Sequence, residues 1–444
     1  MGVGVCRDRA RRIGHRAAVA RTIRWEEHDT VPDFTVTFPA IGNRWLVGIA
    51  FLVHITTVAF IIGIAMVAPV AEILGRRPGG ERWLQLAHQI STVIERLFAW
   101  GATWAALALV AIWGLYPRLW GYLTSLYFIQ VLIIAGLLWF LMAITAYVYY
   151  STWEPLHGRW LLHNAIGWPF TISSMAFITL IVMFSAQLLT PVGSPNDLLA
   201  AAFNPGYIAE EIHRQVGNLS YGALLLGALL AASLLVFSGR LALEQHVYRR
   251  WVIGSVVVLG LIVTLLQPLT GWYYVLQVQA ISYGAWELMM AGANGWMFLI
   301  QIGLLGAAFF LGSLYLALGV PTADERNPGW EPTWLRWSLL PLGLALLLAV
   351  VPKEFPLGLM RPWKYLALGT YLVVTIANLL VYRRARRRAG PVPGGWHRPA
   401  VAAALGIVLV TLFIMMGIIR ESARGPWLIY EKMPPQQAQE LLRP

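Results

Sequence analysis

Long uncharged apolar segments alternate with short polar segments along most of the chain. A helix rises about 1.5 Å per residue, so some 20 apolar residues cross the hydrocarbon core of a bilayer. The pattern predicts ten transmembrane helices, or eight or nine if part of 335–382 is re-entrant. Their predicted bounds are 45–72, 92–117, 119–150, 161–190, 214–238, 251–270, 293–319, 335–351, 363–382 and 399–420. The fold class is therefore an all-α, polytopic transmembrane bundle.

The predicted helices divide the chain into four parts. Residues 1–44 are a polar, Arg-rich N-terminal tail, and 45–320 hold the first seven spans. Residues 321–398 carry two further spans with a basic loop, and 399–444 contain the final span and a short tail. The N-terminal tail does not have the pattern of a secretory signal peptide, because no short apolar core with a small-residue cleavage site follows it.

Composition supports the membrane prediction and narrows the chemistry. Hydrophobic residues make up 58% of the 444 residues and charged residues 12%, whereas soluble domains are typically about 25% charged. This excludes a soluble enzyme, and the net charge of +12 does not indicate nucleic-acid binding, because there is no soluble basic domain to carry it. The single cysteine, Cys6, excludes a disulfide framework, covalent c-type haem attachment and Fe–S clusters in this chain.

Arginines predict the orientation of the helices. Alternate loops carry three Arg clusters, which favours the cytoplasmic side for those loops. The clusters are Arg76, Arg77 and Arg82; Arg240, Arg249 and Arg250; and Arg383, Arg384, Arg386, Arg387 and Arg388. Loops 191–213 and 271–292 are then outside, as are both termini, although the Arg-rich N-terminal tail opposes this assignment.

Five residues within or at the ends of the spans are candidate metal ligands. His54 lies about ten residues into the first span, His213 opens the fifth, Met297 and Gln301 share a face of the seventh, and Glu421 ends the last. Each also has a simpler interpretation: a satisfied hydrogen bond, helix packing, or a surface ion pair of Glu421. The predicted topology places His54, His213, Gln301 and Glu421 in the outer half of the bilayer. Such an arrangement is typical of haems bound between the helices of a bundle.

The remaining histidines have simpler interpretations. His163 begins the fourth span on the inner side, and His88 and His246 lie near inner helix ends. We interpret all three as interfacial residues.

The end of the chain resembles a known signature. Glu421 is followed by two residues, Arg424, one residue and then Pro426-Trp427, which is similar to the signature closing a span in subunit I of cytochrome bd-type quinol oxidases. Three further stretches fit the same family in the same order. They are His54 with Gly63 and Glu72; His163 with Pro-Val-Gly at 191–193; and His213 with a face of small residues. The resemblance covers roughly residues 40–310 and 400–430, which makes 330–398 look like an insertion.

The resemblance implies ligand roles. His54 would be an axial ligand of one active-site haem, Glu421 would ligate or adjoin a second, and His213 would ligate the low-spin haem. Arg424 would pair with haem propionates, and Trp427 belongs to the same signature. The family's second low-spin ligand is a methionine, and Gln301 stands at the aligned position with Met297 one turn away. Three alternatives stay open: Met297 substitutes, the haem is five-coordinate, or it is missing.

The resemblance also implies cofactors, partners and location. Two or three haems b are expected, with a chlorin-type haem d as a further alternative. A second membrane subunit, surrounding lipid, and a quinone or an external cytochrome would be the partners, in a prokaryotic plasma membrane. The implied activity is an oxidoreductase of the quinol oxidase type.

Departures from the family pattern keep other functions open. The two acidic residues of the family's third span are replaced by Gln130 and Leu138, and the loop at 271–292 has Tyr283 and Glu287 but no Lys. Quinol oxidation and oxygen reduction both need acid–base groups. An electron conduit between a quinone pool and an external c-type cytochrome is therefore one alternative. A cofactor-free membrane anchor or transporter subunit is another.

Overall fold

The computed structural model describes residues 43–116, 120, 126–190, 203–290, 295–320, 329–351, 360–389 and 395–424. The N-terminal tail up to residue 42, Pro-Val-Gly at 191–193 and Trp427 lie outside the described residues.

The described residues form α-helices, joined by turns and two short 3-10 helices, and contain no strand. We number the α-helices in chain order. They are α1 Asn43–Ala65, α2 Ala68–Gly75, α3 Glu81–Leu115, α4 Leu126–Ser151, α5 Trp160–Leu189, α6 Tyr207–Phe237, α7 Leu243–Thr264, α8 Gln267–Ile281, α9 Tyr283–Met290, α10 Gly295–Ala317, α11 Glu331–Trp337, α12 Leu339–Ala349, α13 Met360–Ala389 and α14 His397–Arg424.

The prediction of ten spans is confirmed. Ten helical stretches of the described chain are long and apolar enough to cross a membrane, and each corresponds to one predicted span. Their bounds differ at polar helix ends. The second span begins at Glu81, and the fifth begins at Tyr207, because a helix continues into the lipid headgroup region after its apolar part ends.

Two spans contain a proline-associated break. Pro69 lies in the first turn of α2 and Pro268 in the first turn of α8. Proline has no N–H to donate, so it is tolerated where a new helix starts and ends the preceding hydrogen-bond ladder. The predicted loop at 271–292 is wrong over its described part, because α8 continues to Ile281 and α9 follows.

Helix α6 lies at the centre of the bundle and packs against α1, α5, α7, α8 and α14. Close approach to α1 depends on glycine: a Cβ on Gly63 would overlap the carbonyl of Asn218 and lie 2.9 Å from the Cα of Gly222. Against α7, the hydroxyls of Ser220 and Thr264 are 2.6 Å apart. Small residues and interhelical hydrogen bonds are the usual means of holding helices together in lipid.

The arginine-rich turns lie at one end of the bundle, where hydrogen bonds connect the helices that carry them. The hydroxyl of Tyr248 donates to Gln89 at 3.1 Å, and Arg250 donates to the carbonyl of Gly395 at 3.2 Å. We call this end the basic end and the other the opposite end.

The α1–α6 contact can be tested with one substitution. We expect Gly63→Val to lower stability by about 1–3 kcal/mol, because its side chain would overlap the α6 backbone. Thermal unfolding of the purified protein in detergent measures the effect. Gly48→Val is the matched control, since a Cβ at Gly48 on the same helix meets nothing within 4 Å. Equal unfolding temperatures for the two variants would contradict the close packing.

Candidate functional site

His54 has one ring nitrogen engaged and one available. Its Nδ1 is 2.9 Å from the carbonyl oxygen of Gly101 on α3. A carbonyl oxygen only accepts, so Nδ1 carries the hydrogen and Nε2 keeps its lone pair. No described residue hydrogen-bonds to Nε2. A backbone carbonyl on the second nitrogen is the usual way to orient a metal-binding histidine.

His213 is arranged in the same way. Its Nδ1 is 3.1 Å from Oγ1 of Thr270 on α8. The Thr270 hydroxyl is 3.1 Å from the carbonyl of Leu266 and 3.3 Å from that of Gln267, and it donates to this pair. Oγ1 therefore accepts from Nδ1, and the lone pair of His213 is on Nε2, which has no hydrogen-bond partner among the described residues.

His163 is different, because both of its nitrogens have oxygen partners. Nδ1 is 2.8 Å from Oε1 of Glu72, and Nε2 is 2.9 Å from the carbonyl of Tyr149. The hydroxyl of Tyr149 also donates to Glu72, at 3.0 Å. His163 is 1% exposed and so is buried rather than interfacial. Neither nitrogen offers a lone pair, which makes His163 a structural link between α2, α4 and α5.

A buried ion pair joins α6 to α14 near His213. Arg420 donates to both carboxylate oxygens of Glu210. Glu210 is 1% exposed and Arg420 8% exposed. Nε of Arg214 lies 3.7 Å from Oε1 of Glu210. The hydroxyl of Tyr274 donates to Oε2 of Glu210 at 3.5 Å. The sequence did not indicate this pair, because its pattern predicts a loop at Glu210 and offers only a surface ion pair of Glu421 at the end of the last span.

The ion pair and the α1–α6 contact place the candidate ligands at comparable depth. Glu210 is three residues before His213, and Arg420 directly precedes Glu421. His54 is nine residues before Gly63, which contacts Asn218. Helix α6 runs parallel to α1, so the position level with His54 lies nine residues before Asn218, at Ala209. Ala209 is about one helical turn from His213. His54, His213 and Glu421 are thus all carried towards the opposite end of the bundle.

The contacts of the remaining candidate residues, Met297, Gln301, Arg424 and Trp427, are described only in part. Met297 is half-buried and packs against an apolar cluster that includes Tyr274, Ile419 and Ala423. Gln301 is one turn further along α10 and is also half-buried. Helix α14 ends at Arg424, whose side chain is outside the described part of the chain, as is Trp427.

The available donors suit haem iron. Two histidines offer Nε2 lone pairs, Met297 offers a thioether, and both are common axial ligands. Among the described residues, no three His, Cys, Asp or Glu side chains cluster closely enough to bind a metal ion by themselves. One histidine from each of α1 and α6 fits a macrocycle that supplies the other ligands of the iron.

The fold and these residues define a multi-pass helical membrane protein with histidine ligand candidates towards one end of the bundle. The family model for cytochrome bd terminal oxidase subunit I matches residues 43–302. The chain belongs to this family, and its members are haem-binding, respiratory oxidoreductase subunits of the prokaryotic plasma membrane. The resemblance found in the sequence is thereby confirmed.

A solved structure of bd oxidase from Geobacillus thermodenitrificans is similar over 88% of this chain and 98% of its own, with 17% identity and a TM-score of 0.47. No curated protein matches the chain.

The buried ion pair gives a stability prediction. We expect Glu210→Gln to cost about 3–5 kcal/mol, because it leaves the buried Arg420 guanidinium without its counter-charge. Replacing both residues with Met should cost much less, since no buried charge is then unpaired. Thermal unfolding measures each variant, and Glu81→Gln at the exposed start of α3 is the control. If the double variant were as unstable as Glu210→Gln, the unpaired charge of Arg420 would not be the cause of the lost stability.

Proposed function

We propose that this chain is a haem-binding subunit of a respiratory electron-transfer complex, in which Nε2 of His54 and Nε2 of His213 bind haem iron. The proposal rests on one observation: these two histidines each use Nδ1 in a hydrogen bond to a neighbouring helix and keep Nε2 free of described partners. Family membership supports the cofactor class. Bound haem would supply one-electron redox chemistry.

The surrounding residues have positioning roles in this proposal. Gly101 and Thr270 fix the tautomer and ring orientation of the two histidines. Glu210 and Arg420 hold the end of α14, and therefore Glu421, beside α6. We assign Glu421 as a residue that would hold a second haem, and Arg424 and Trp427 as residues that would contact haem propionates. We assign Met297, rather than Gln301, as the second ligand of the haem that His213 would hold. Met297 packs in the cluster that contains Tyr274, whose ring stacks on His213 with centroids 6.1 Å apart.

The Nε2 assignment can be tested by haem content. We expect His54→Ala and His213→Ala each to remove haem, because each variant lacks the imidazole that would bind the iron. Pyridine haemochrome analysis and reduced-minus-oxidised spectra of the complex, purified gently from its membrane, measure the loss.

His163→Ala is the matched control for haem content. This variant should lower the unfolding temperature, because it removes two buried hydrogen bonds, yet keep its haem per folded protein. Full haem in both of the other variants would show that the ligands are wrong. A gently purified complex without any haem would instead favour the anchor or transporter alternative.

One observation favours an electron conduit over a complete oxidase. Gln130, at one position where the family has an acidic residue, is exposed on the surface of α4, and Leu138 at the other is half-buried and apolar. Neither can pass a proton to a buried site. In this version the chain transfers electrons from a quinol to an external c-type cytochrome, with a second membrane subunit as partner.

Steady-state assays separate the two versions. For the conduit, we expect haem reduced by a soluble quinol to persist in air and to be reoxidised by an added c-type cytochrome. Oxygen uptake with quinol alone, at a rate matching quinol oxidation, would establish the oxidase instead. Boiled complex and the His213→Ala variant serve as controls for non-enzymatic quinol oxidation.

A further inference from the structure

A cleft at the basic end of helix α13 is lined by arginines. It has a volume of about 510 Å³, opens to the surface, and is lined by Leu380, Arg383, Arg384, Arg387 and Arg388. Steps of three, four, seven and eight residues from Leu380 follow one face of a helix. All four arginines are exposed. We call these five residues the basic cleft.

One buried carboxylate partly neutralises the basic cleft. Glu331, at the start of α11, is 2% exposed. Its Oε1 lies 3.0 Å from Nε of Arg384 and 2.8 Å from Nη1 of Arg388. Within the described part of the chain, Arg383 and Arg387 form no hydrogen bond or ion pair. Four arginines and one glutamate therefore leave three positive charges in the cleft.

The arrangement of the guanidinium groups suits a phosphate. Arg383 and Arg387 are four residues apart, so their Cβ atoms are about 6 Å apart on the same side of the helix. Arginine presents its N–H donors in a planar fork that binds phosphate oxygens with two parallel hydrogen bonds. Arg384 and Arg388, which Glu331 orients, each have further N–H donors beyond the one that contacts the carboxylate. A phosphate group is thus the ligand class that the cleft can bind.

An exposed apolar strip leads along α13 to the cleft. Val373, Ile376 and Leu380 are 68%, 46% and 63% exposed. Leu380 lies seven residues before Arg387, and Ile376 lies seven before Arg383, so each pair shares one side of the helix. Within a transmembrane span, such an apolar surface faces the acyl chains of the bilayer. Along this face an apolar surface is followed by a cationic one, which is the order of acyl chain and headgroup in a phospholipid.

Two tryptophans of α11 lie beside this face at its cationic end. The guanidinium of Arg384 is 5.6 Å from the ring centroid of Trp330, and the indole N–H of Trp334 donates to Asn378 at 3.1 Å. Both tryptophans are exposed. Exposed tryptophans are typical of the headgroup level of a membrane. The cleft therefore lies at the depth where a lipid phosphate is found.

A soluble phosphate compound has the same charge as a lipid headgroup but would not cover the apolar strip. An anionic phospholipid matches both surfaces at once. The arginine clusters predict that the basic end is cytoplasmic, and anionic lipids of that leaflet attract clusters of basic residues. Both observations favour lipid as the source of the phosphate.

We propose that the basic cleft binds the phosphate of an anionic phospholipid whose acyl chains lie along Val373, Ile376 and Leu380. Arg383 and Arg387 donate to the phosphate, and Glu331 positions the other two arginines beside it. Helices α11 and α13 lie outside the matched residues 43–302, so the family match does not assign this site. The inference is also independent of the proposed haem ligands.

Photo-crosslinking tests the site. The probe is phosphatidylglycerol with a diazirine in one acyl chain, added as a minor component to phosphatidylcholine nanodiscs that contain the purified complex. We expect crosslinks in the segment 373–380, and about tenfold fewer in Arg383→Gln/Arg387→Gln, because each arginine near an anionic headgroup contributes to binding. Diazirine-labelled phosphatidylcholine should give few crosslinks there, in equal number for the native protein and the variant.

Arg77→Gln/Arg82→Gln is the matched control. It removes the same charge from exposed positions in another turn of the basic end, and neither residue lines the cleft. Its phosphatidylglycerol crosslinks in 373–380 should equal those of the native protein. An unchanged unfolding temperature and haem spectrum in Arg383→Gln/Arg387→Gln would show that the loss of crosslinks is not due to unfolding.

Three outcomes would overturn the proposal. Equal crosslinking by the two lipids in the native protein would show that the cleft does not select an anionic headgroup, and this comparison needs no variant to fold. Equal loss in the two double variants would show that only the net charge of the basic end matters. Loss of the phosphatidylglycerol crosslinks in excess glycerol phosphate would assign the cleft to soluble phosphates.

Discussion

Hydrocarbon offers no hydrogen bonds, and this constraint governs where polar groups lie in the protein. A buried carboxylate or guanidinium in a membrane span must meet a partner from another helix. Glu72 meets His163 and Tyr149 near one end of the bundle, and Glu210 meets Arg420 near the other. These contacts fix the relative depth of helices that van der Waals packing alone would leave free to slide.

The same constraint distinguishes the histidines. Both ring nitrogens of His163 contact oxygens of neighbouring helices, and this structural role accounts for a buried histidine at this position. His54 and His213 each use only Nδ1, and Nε2 has no hydrogen-bond partner among the described residues. This difference is independent of the family resemblance. It supports the same two ligands that the resemblance implies.

The region beyond the matched residues adds its own polar interior. Helices α11 to α13 pack on α10, and α13 contributes three fully buried polar residues, Tyr371, Thr375 and Asn378.

The sequence by itself determined the number and order of the spans, because the length of an uncharged apolar segment is a property of the chain alone. It also determined the family, since the histidines and the Glu-x-x-Arg-x-Pro-Trp signature are local patterns. It could not place Glu210 inside a helix, because a polar first turn of a helix has the same composition as a loop. It also could not pair Glu210 with Arg420, which is 210 residues away along the chain. Only the tertiary structure decided which nitrogen of each histidine is free, because that depends on which carbonyl or hydroxyl a neighbouring helix presents.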